Sequence, residues 1–353
     1  MPIVTNSPAL GSALHDEEME ARPTLDAVAE LAGVSTATVS RVLNDSARVS
    51  DTARRSVEAA VAKLGYVPNP AARSLARRRT DTIALVVSEP EDRLFADPFF
   101  STVVHGIAEL LAETDLQLVI LPARGERQQR KVERYVLQGH VDGIIMLSLH
   151  EDDVLPRALA AAGASLVLSG RPRSDTGKTP FVDTDNRSGA RIATEHLLET
   201  RSVVATITGP PDMAVSADRF EGYRDALAAA GLPFRVELVE PGDFTGEGGR
   251  AAMERLLACE PRLDGLFAAS DAMAAGALEA LVAAGRAVPG EVAVMGFDDV
   301  DLAVRTTPPL STMRQPFEQM TRALVDLALR RIAGEEEPEH VILSPTLVRR
   351  GST

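Results

Sequence analysis

Arg41 sits on the outward face of a short helical pattern whose Val39 and Val42 point the other way, and Thr36 and Ala37 share its face near the segment's start. A guanidinium held there can donate two hydrogen bonds to the edge of a guanine, while threonine and alanine offer methyl contacts or a single bond. Catalytic chemistry is harder to assemble. The six histidines show no metal-ligand spacing, Cys259 has no evident activating partner, and no G-x-S-x-G elbow occurs. Gly242-Asp243-Phe244-Thr245-Gly246-Glu247-Gly248-Gly249 has the look of a nucleotide loop. It lacks G-x-G-x-x-G spacing after the first strand, and no Gly-Lys-Ser/Thr loop is present, so it reads as a strand-to-helix turn.

The elements that must hold Arg41 in place are short helices. Leu25, Val28, Ala29 and Ala32 share one face of a helix that Gly33 ends. Ser35 can cap the next helix, which runs to about Leu43. After 44–49, Ser50 caps a third helix with Val57, Ala60, Val61 and Leu64 inward and Gly65 at its end. Two short helices joined by a tight glycine-containing turn are the helix-turn-helix pattern, although the periodicity also fits a three-helix packing domain. Asn69 and Pro70 then open the short segment Ala71–Ala76, too brief to be a stable helix alone.

Charge separates this region from the rest. The whole chain carries −14, which argues against a polyanionic partner until its distribution is examined. Residues 1–20 hold −4 and 21–80 hold +5, from ten basic side chains against five acidic ones; the remainder holds −15. A small basic module joined to a large acidic body presents a favourable field to DNA only at the basic end.

From Asp81 onward, apolar runs alternate with amphipathic helices. Strands are expected at 83–87, 116–121, 143–147, 165–168, 203–207, 235–239, 265–268 and 292–295. Helices are expected at 99–113, 126–138, 188–199, 217–230, 246–258 and 271–284. The alternation predicts two doubly wound subdomains with parallel sheets and a ligand cleft at their strand ends.

The segment Leu25–Asn44, with Val49-Ser50, Leu64-Gly65-Tyr66-Val67-Pro68-Asn69 and Ala71-Ala72-Arg73-Ser74-Leu75, resembles the headpiece of the lactose-repressor (LacI) family. The resemblance resumes in Asp97-Pro98-Phe99-Phe100, Val182–Asn186, Asp218–Tyr223, Phe267–Asp271, Gly296–Asp299, Pro308–Thr312 and Arg314–Phe317, and so runs nearly from Thr24 to Thr353. It implies a helix-turn-helix headpiece on a body of two Rossmann-like subdomains similar to periplasmic sugar-binding proteins. It implies Thr36, Ala37 and Arg41 as base readers in the major groove. It also implies Ala71–Ala76 as a hinge helix, with Ala72 and Leu75 facing the minor groove and Leu75 as a wedge. Thr24, Ser35, Thr38, Ser40 and Asn44 are candidate phosphate contacts, some of which serve equally as caps. Phe99, Asp185, Arg219, Ser270, Asp298 and Phe317 are implied as effector contacts, a set whose carboxylates, guanidinium and aromatic wall suit a polyol. Arg219 with Asp185 could instead form a structural ion pair.

Two departures bear on the ligand and on packing. Thr200-Arg201-Ser202 replaces a Gly-His-Arg stretch away from the expected contacts, and Pro210–Ser216 lacks the arginine of nucleobase-binding members, which argues against a purine. The expected organisation is a disordered acidic tail (1–21), a DNA-binding domain (22–68), a hinge and linker (69–80) and an effector and dimerisation body (81–353). Its subdomains are expected at about 81–185 with 314–335 and about 186–311 with 336–353. The expected molecule is not an enzyme and needs no cofactor or metal. It is a cytoplasmic regulator, most simply a repressor, with double-stranded operator DNA, a sugar-like effector and a second copy of itself as partners. The absence of a basic leader, a membrane span or a heptad tail supports the cytoplasm, no membrane partner, and a dimer rather than a tetramer.

Overall fold

The computed structural model describes residues 23–43, 49–67, 79–172, 179–335 and 337–353. The tail expected over 1–21, Asn44, the hinge residues Ala72 and Leu75, and the basic residues Arg77 and Arg78 lie outside the described residues. The chain divides into two compact units, Met1–Arg78 and Arg79–Thr353.

In the first unit, α1 (Leu25–Ala32), α2 (Thr36–Leu43) and α3 (Asp51–Leu64) enclose Val28, Ala29, Val39, Val42, Val57 and Ala60. Thr24 caps α1 by accepting from the Ala27 N–H at 3.2 Å, and Ser50 caps α3 by accepting from the Ala53 N–H at 3.3 Å. Gly33, with φ 66°, supplies the left-handed turn that ends α1 and redirects the chain into α2, a conformation costly to any residue bearing a Cβ. So small a core is held together by caps and a few branched side chains.

The second unit contains two six-stranded sheets. The first comprises β1 (Thr82–Val87), β2 (Gln117–Pro122), β3 (Gly143–Leu147), β4 (Leu166–Ser169), β5 (Phe181–Thr184) and β11 (His340–Leu343). Its order is β11-β5-β4-β3-β1-β2, with every neighbouring pair parallel. The second comprises β6 (Val204–Thr208), β7 (Val239–Pro241), β8 (Gly265–Ala268), β9 (Ala293–Asp298), β10 (Ser311–Arg314) and β12 (Thr346–Val348). Its order is β12-β10-β9-β8-β6-β7, and only the β10–β12 pair is antiparallel. Helices α4 (Glu91–Ala96), α5 (Pro98–Leu111), α6 (Glu126–Leu137) and α7 (Leu155–Ala161) belong to the first subdomain. Helices α8 (Asn186–Leu198), α9 (Ala214–Ala229), α10 (Gly246–Cys259), α11 (Asp271–Ala283) and α12 (Asp301–Arg305) belong to the second, and α13 (Phe317–Ile332) returns to the first.

The strands read as continuous apolar runs because both faces are covered. In β1, Ile83, Leu85 and Val87 pack with Phe100, Ile107 and Leu324, whereas Ala84 and Val86 pack with Val132, Ile144 and Leu159 on the other side. The chain crosses between subdomains three times: at Asp185 between β5 and α8, at Gln315-Pro316 between β10 and α13, and at Ser344-Pro345 between β11 and β12. Loops leaving the carboxyl ends of both sheets face each other across a cleft.

Three expectations require correction. Residues 336–353 do not fall wholly in the second subdomain, because β11 pairs in parallel with β5 of the first sheet. The strand expected at 235–239 is a short 3-10 turn, Val236–Leu238, leading into β7. Strands β5, β10, β11 and β12 and helices α4, α7, α12 and α13 were not among the elements expected.

Helix α9 packs tightly on α8 at Gly222, where an added Cβ would lie 2.2 Å from the Arg187 carbonyl oxygen. Gly222→Ala should therefore cost about 1–3 kcal/mol through overpacking, measured by urea unfolding. Unchanged stability would show that the two helices can separate without penalty.

Candidate functional site

The cleft is built on a buried guanidinium. Arg219, on α9, is 4% exposed. Its Nε donates to Asn186 Oδ1 at 2.9 Å, its Nη1 donates to the Ala269 carbonyl at 2.5 Å, and its Nη2 lies 3.6 Å from Asp298 Oδ1. The Phe297 ring lies 3.7 Å beneath it, a favourable place for a desolvated cation. Burial pulls the Arg219 pKa down, and Asp298, Asp183, Asp271 and Asp218 oppose that pull.

Polar contacts run outward from Arg219 into the crossings. Gln315 donates from Nε2 to Asp298 Oδ1 at 2.7 Å and accepts from Thr184 Oγ1 at 2.7 Å. Asn186 donates from Nδ2 to Asp183 Oδ1 at 3.1 Å and to the Thr184 carbonyl at 2.8 Å. Two of the three crossings are thus hydrogen-bonded to one another at the cleft floor. Asp298 holds φ 120° and Asp299 φ 60°, both unusual for residues with a side chain. Strained backbone at the end of a strand is concentrated where side chains must be aimed.

Around this floor the cleft encloses about 800 Å3, its open mouth included. Phe99 and Phe100 meet edge to face at 5.3 Å and form an apolar wall, with Phe244 contributed by the second subdomain. Burial pushes the Asp183 carboxyl up to about 6, aided by the charge of Asp218 and opposed by Arg171. Burial also raises Asp298, with Arg219 working against it.

Of the residues expected here, Phe99, Arg219, Ser270 and Asp298 line the cleft. Ser270 also caps α11, accepting from the Met273 N–H at 3.2 Å. Asp185 does not line it. The chain leaves extended geometry there, at φ −69° and ψ 76°, and the carboxylate caps α8 by accepting from the Ser188 N–H at 3.1 Å. Nor is Asp185 the partner of Arg219, whose carboxylate neighbour is Asp298. Phe317 stands behind the wall, 5.8 Å from the Phe99 ring, and borders a separate groove with Asp299 and Arg314. Asp183, Asn186, Arg93, Asp97 and Gln315 line the cleft and were not expected as contacts. Asp183 and Asn186, which line the cleft, flank the expected Asp185 by two residues and one.

In the first unit, Thr36, Ala37 and Arg41 are exposed on α2, while Val39 and Val42 beneath them are buried. The Ser35 and Thr38 hydroxyls lie 2.9 Å apart, and Ser35 Oγ also accepts from the Thr38 N–H at 3.2 Å. Among the described residues no group of three or more His, Cys, Asp or Glu side chains could hold a metal, and no helix is long and apolar enough to cross a membrane.

Comparison with known proteins gives concordant results. The family model for bacterial regulatory proteins of the lacI family matches residues 24–69, and that for a periplasmic binding protein-like domain matches residues 194–353. The HTH-type transcriptional regulator CelR of Thermobifida fusca is 46% identical over 338 residues, spanning 95% of this chain and 99% of that protein. The ribose operon repressor of Escherichia coli K12 is 34% identical over 335 residues, spanning 93% and 99%. Among solved structures, a CelR–cellobiose complex is similar with a TM-score of 0.75 at 44% identity, covering 94% of this chain and all of that one. A lac repressor dimer bound to operator and the anti-inducer ONPF is similar with a TM-score of 0.82 at 27% identity, covering 94% and 99%.

The raised Asp183 pKa has a signed consequence for stability. Its folded value near 6 exceeds the unfolded value of about 3.9. The folded chain therefore holds more protons between those values, and this residue's contribution to stability falls as pH rises through the window. Asp183→Asn removes that loss. The unfolding free energy of the variant relative to the parent should grow by about 2–3 kcal/mol between pH 4 and pH 7. A difference that stays constant with pH would contradict the buried, proton-retaining carboxyl.

Proposed function

The chain belongs to the lacI family of bacterial regulatory proteins, and from that premise we propose that it is a sequence-specific transcription regulator, a repressor that grips a palindromic operator as a homodimer and releases it when a small sugar fills the cleft. The observation that carries the DNA-binding half is the exposed Thr36–Ala37–Arg41 face of α2, backed by fully buried valine. A second helix presented this way lies in the major groove with its N-terminal residues against base edges. Arg41 then donates two bonds to a guanine, while Thr36 and Ala37 make smaller contacts. Thr24, Ser35, Thr38, Ser40 and Asn44 position the head on phosphates, with Thr24 also serving as a cap. Ala72 and Leu75, in a hinge over 69–80, complete the reading in the minor groove, where an apolar wedge unstacks a flexible step.

The effector half rests on charge. Asp97, Asp183 and Asp298 line the cleft together with Arg93, Arg171 and Arg219. Each of these arginines already faces an acidic partner: Glu89, Asp218 and Asp298 respectively. A phosphate would find buried carboxylates and no uncommitted guanidinium among these lining residues, whereas neutral hydroxyls can donate to the acids and stack their apolar face on Phe99 and Phe100. The effector set is therefore Phe99, Asp183, Asn186, Arg219, Ser270 and Asp298. Likeness to the CelR–cellobiose complex favours a glucose disaccharide. Regulation rather than catalysis fits the relatives, which are named regulators and repressors.

Calorimetry on the full chain should show cellobiose binding, with ribose, a hexose phosphate and a purine base giving no comparable heat; preferential binding of the phosphate would contradict a cleft whose lining arginines are already paired. Arg41→Ala should lose about 1–3 kcal/mol of discrimination at one base pair in each half-site. Equal loss on operator and random duplex would instead make Arg41 a phosphate contact.

A further inference from the structure

Away from the Arg219 floor, a second polar cluster joins the two subdomains. Glu89, just after β1, is 3% exposed, and its Oε1 accepts from Ser148 Oγ at 2.5 Å and from Arg93 Nη1 at 2.5 Å. His150 Nε2 lies 3.2 Å from the same oxygen. The other ring nitrogen, Nδ1, lies 2.7 Å from Asp212 Oδ2, and Asp212 sits between β6 and α9 in the second subdomain. The crossing is reinforced by the Glu151 N–H, which donates to the Asp212 carbonyl at 2.9 Å. Arg93 makes its own reach across: its guanidinium lies 4.9 Å from the Phe244 ring.

An imidazole flanked by carboxylates on both nitrogens can satisfy both only when both nitrogens carry protons. The neutral ring has one donor, so one carboxylate would face a lone pair. We propose that His150 is a proton-operated latch on the cleft: as an imidazolium it clamps Glu89 of the first subdomain to Asp212 of the second, and as a neutral ring it lets go of one of them. The other charged groups facing the cluster are Asp153, whose carboxylate accepts from the His150 backbone N–H at 2.9 Å, Arg124, which opposes the charge, Arg93 through Glu89, and Asp97, 3.9 Å from Arg93 Nε and like-charged with Glu89. Burial disfavours the imidazolium, but the bonds to Glu89 and Asp212 outweigh it and the His150 pKa is raised. Burial likewise opposes ionisation of Glu89, and His150, Arg93 and Ser148 overcome it, so its pKa is lowered.

Opening the cleft removes Asp212 and lets the His150 pKa fall back. The closed body therefore binds more protons than the open one at pH values between the two His150 pKa values, and a ligand that closes the cleft takes up part of a proton there. Ligand affinity then weakens as pH rises through the raised His150 pKa. Asp183, titrating near 6 on the floor, lies below this window.

The direct test needs no ligand. The ring titration of His150 is followed by NMR in the full chain and in Asp212→Asn. The latch requires a higher pKa in the parent; identical titrations would overturn it. The functional test uses cellobiose as probe and rests on the sugar reading above. Calorimetry at pH 7.5 in two buffers of different ionisation enthalpy should show proton uptake in the parent and none in His150→Gln. The parent's affinity should fall as pH rises through the raised His150 pKa, by at most about tenfold per pH unit, and that of His150→Gln should stay flat. Equal proton uptake in both would overturn the latch. If cellobiose gives no heat, the sugar reading fails, and the NMR comparison still decides the latch.

Discussion

A guanidinium without water is the constraint around which the body is arranged. Removing Arg219 from solvent costs several kcal/mol unless charge and hydrogen bonds replace the lost hydration. Asp298, Asn186, the Ala269 carbonyl and the Phe297 face supply that replacement from the ends of β8 and β9 and the start of α8. The same groups bind Gln315 and Thr184, so compensation for one buried charge also stitches two of the crossings. A cleft floor made in this way is pre-formed, and a ligand need not organise it.

Pre-organisation at the floor leaves movement to the walls. The three crossings are short connections, and the subdomains they join are packed cores that resist deformation. Two stiff bodies on short connections can move relative to each other mainly by changing the angle between them. A ligand shifts such an equilibrium only by the difference between its affinities for the open and closed forms. Phe99 and Asp298 line the cleft from different subdomains, so a molecule touching both would distinguish the two forms.

The sequence revealed the helical head almost completely. Its caps, its Gly33 turn and its 3.6-residue periodicity are local signals, and each reappears in the structure. Strands buried on both faces, such as Gly143–Leu147, were equally legible as uninterrupted apolar runs. Strands of three or four residues carrying polar groups, Phe181-Val182-Asp183-Thr184 and Ser311-Thr312-Met313-Arg314 among them, were not, since nothing local separates them from loops. The sheet that β11 joins depends on pairing across more than 150 residues and has no local mark. At the site, the run Asp183-Thr184-Asp185-Asn186 announced a polar crossing. Which carboxylate faces the cleft was settled only by where the chain leaves β5. The Glu89–His150–Asp212 cluster joins residues some sixty positions apart, and no spacing rule could have gathered them.

The central claim is that occupancy of the cleft governs the grip on a two-fold-symmetric DNA site. The most direct measurement incubates the full-length chain with a pool of random duplexes, recovers the bound fraction and sequences it, with and without cellobiose. The expected result is enrichment of one palindromic sequence whose recovery falls when the sugar is added. Recovery of random duplexes with no preferred palindrome, or of a palindrome whose yield ignores the sugar, would contradict it.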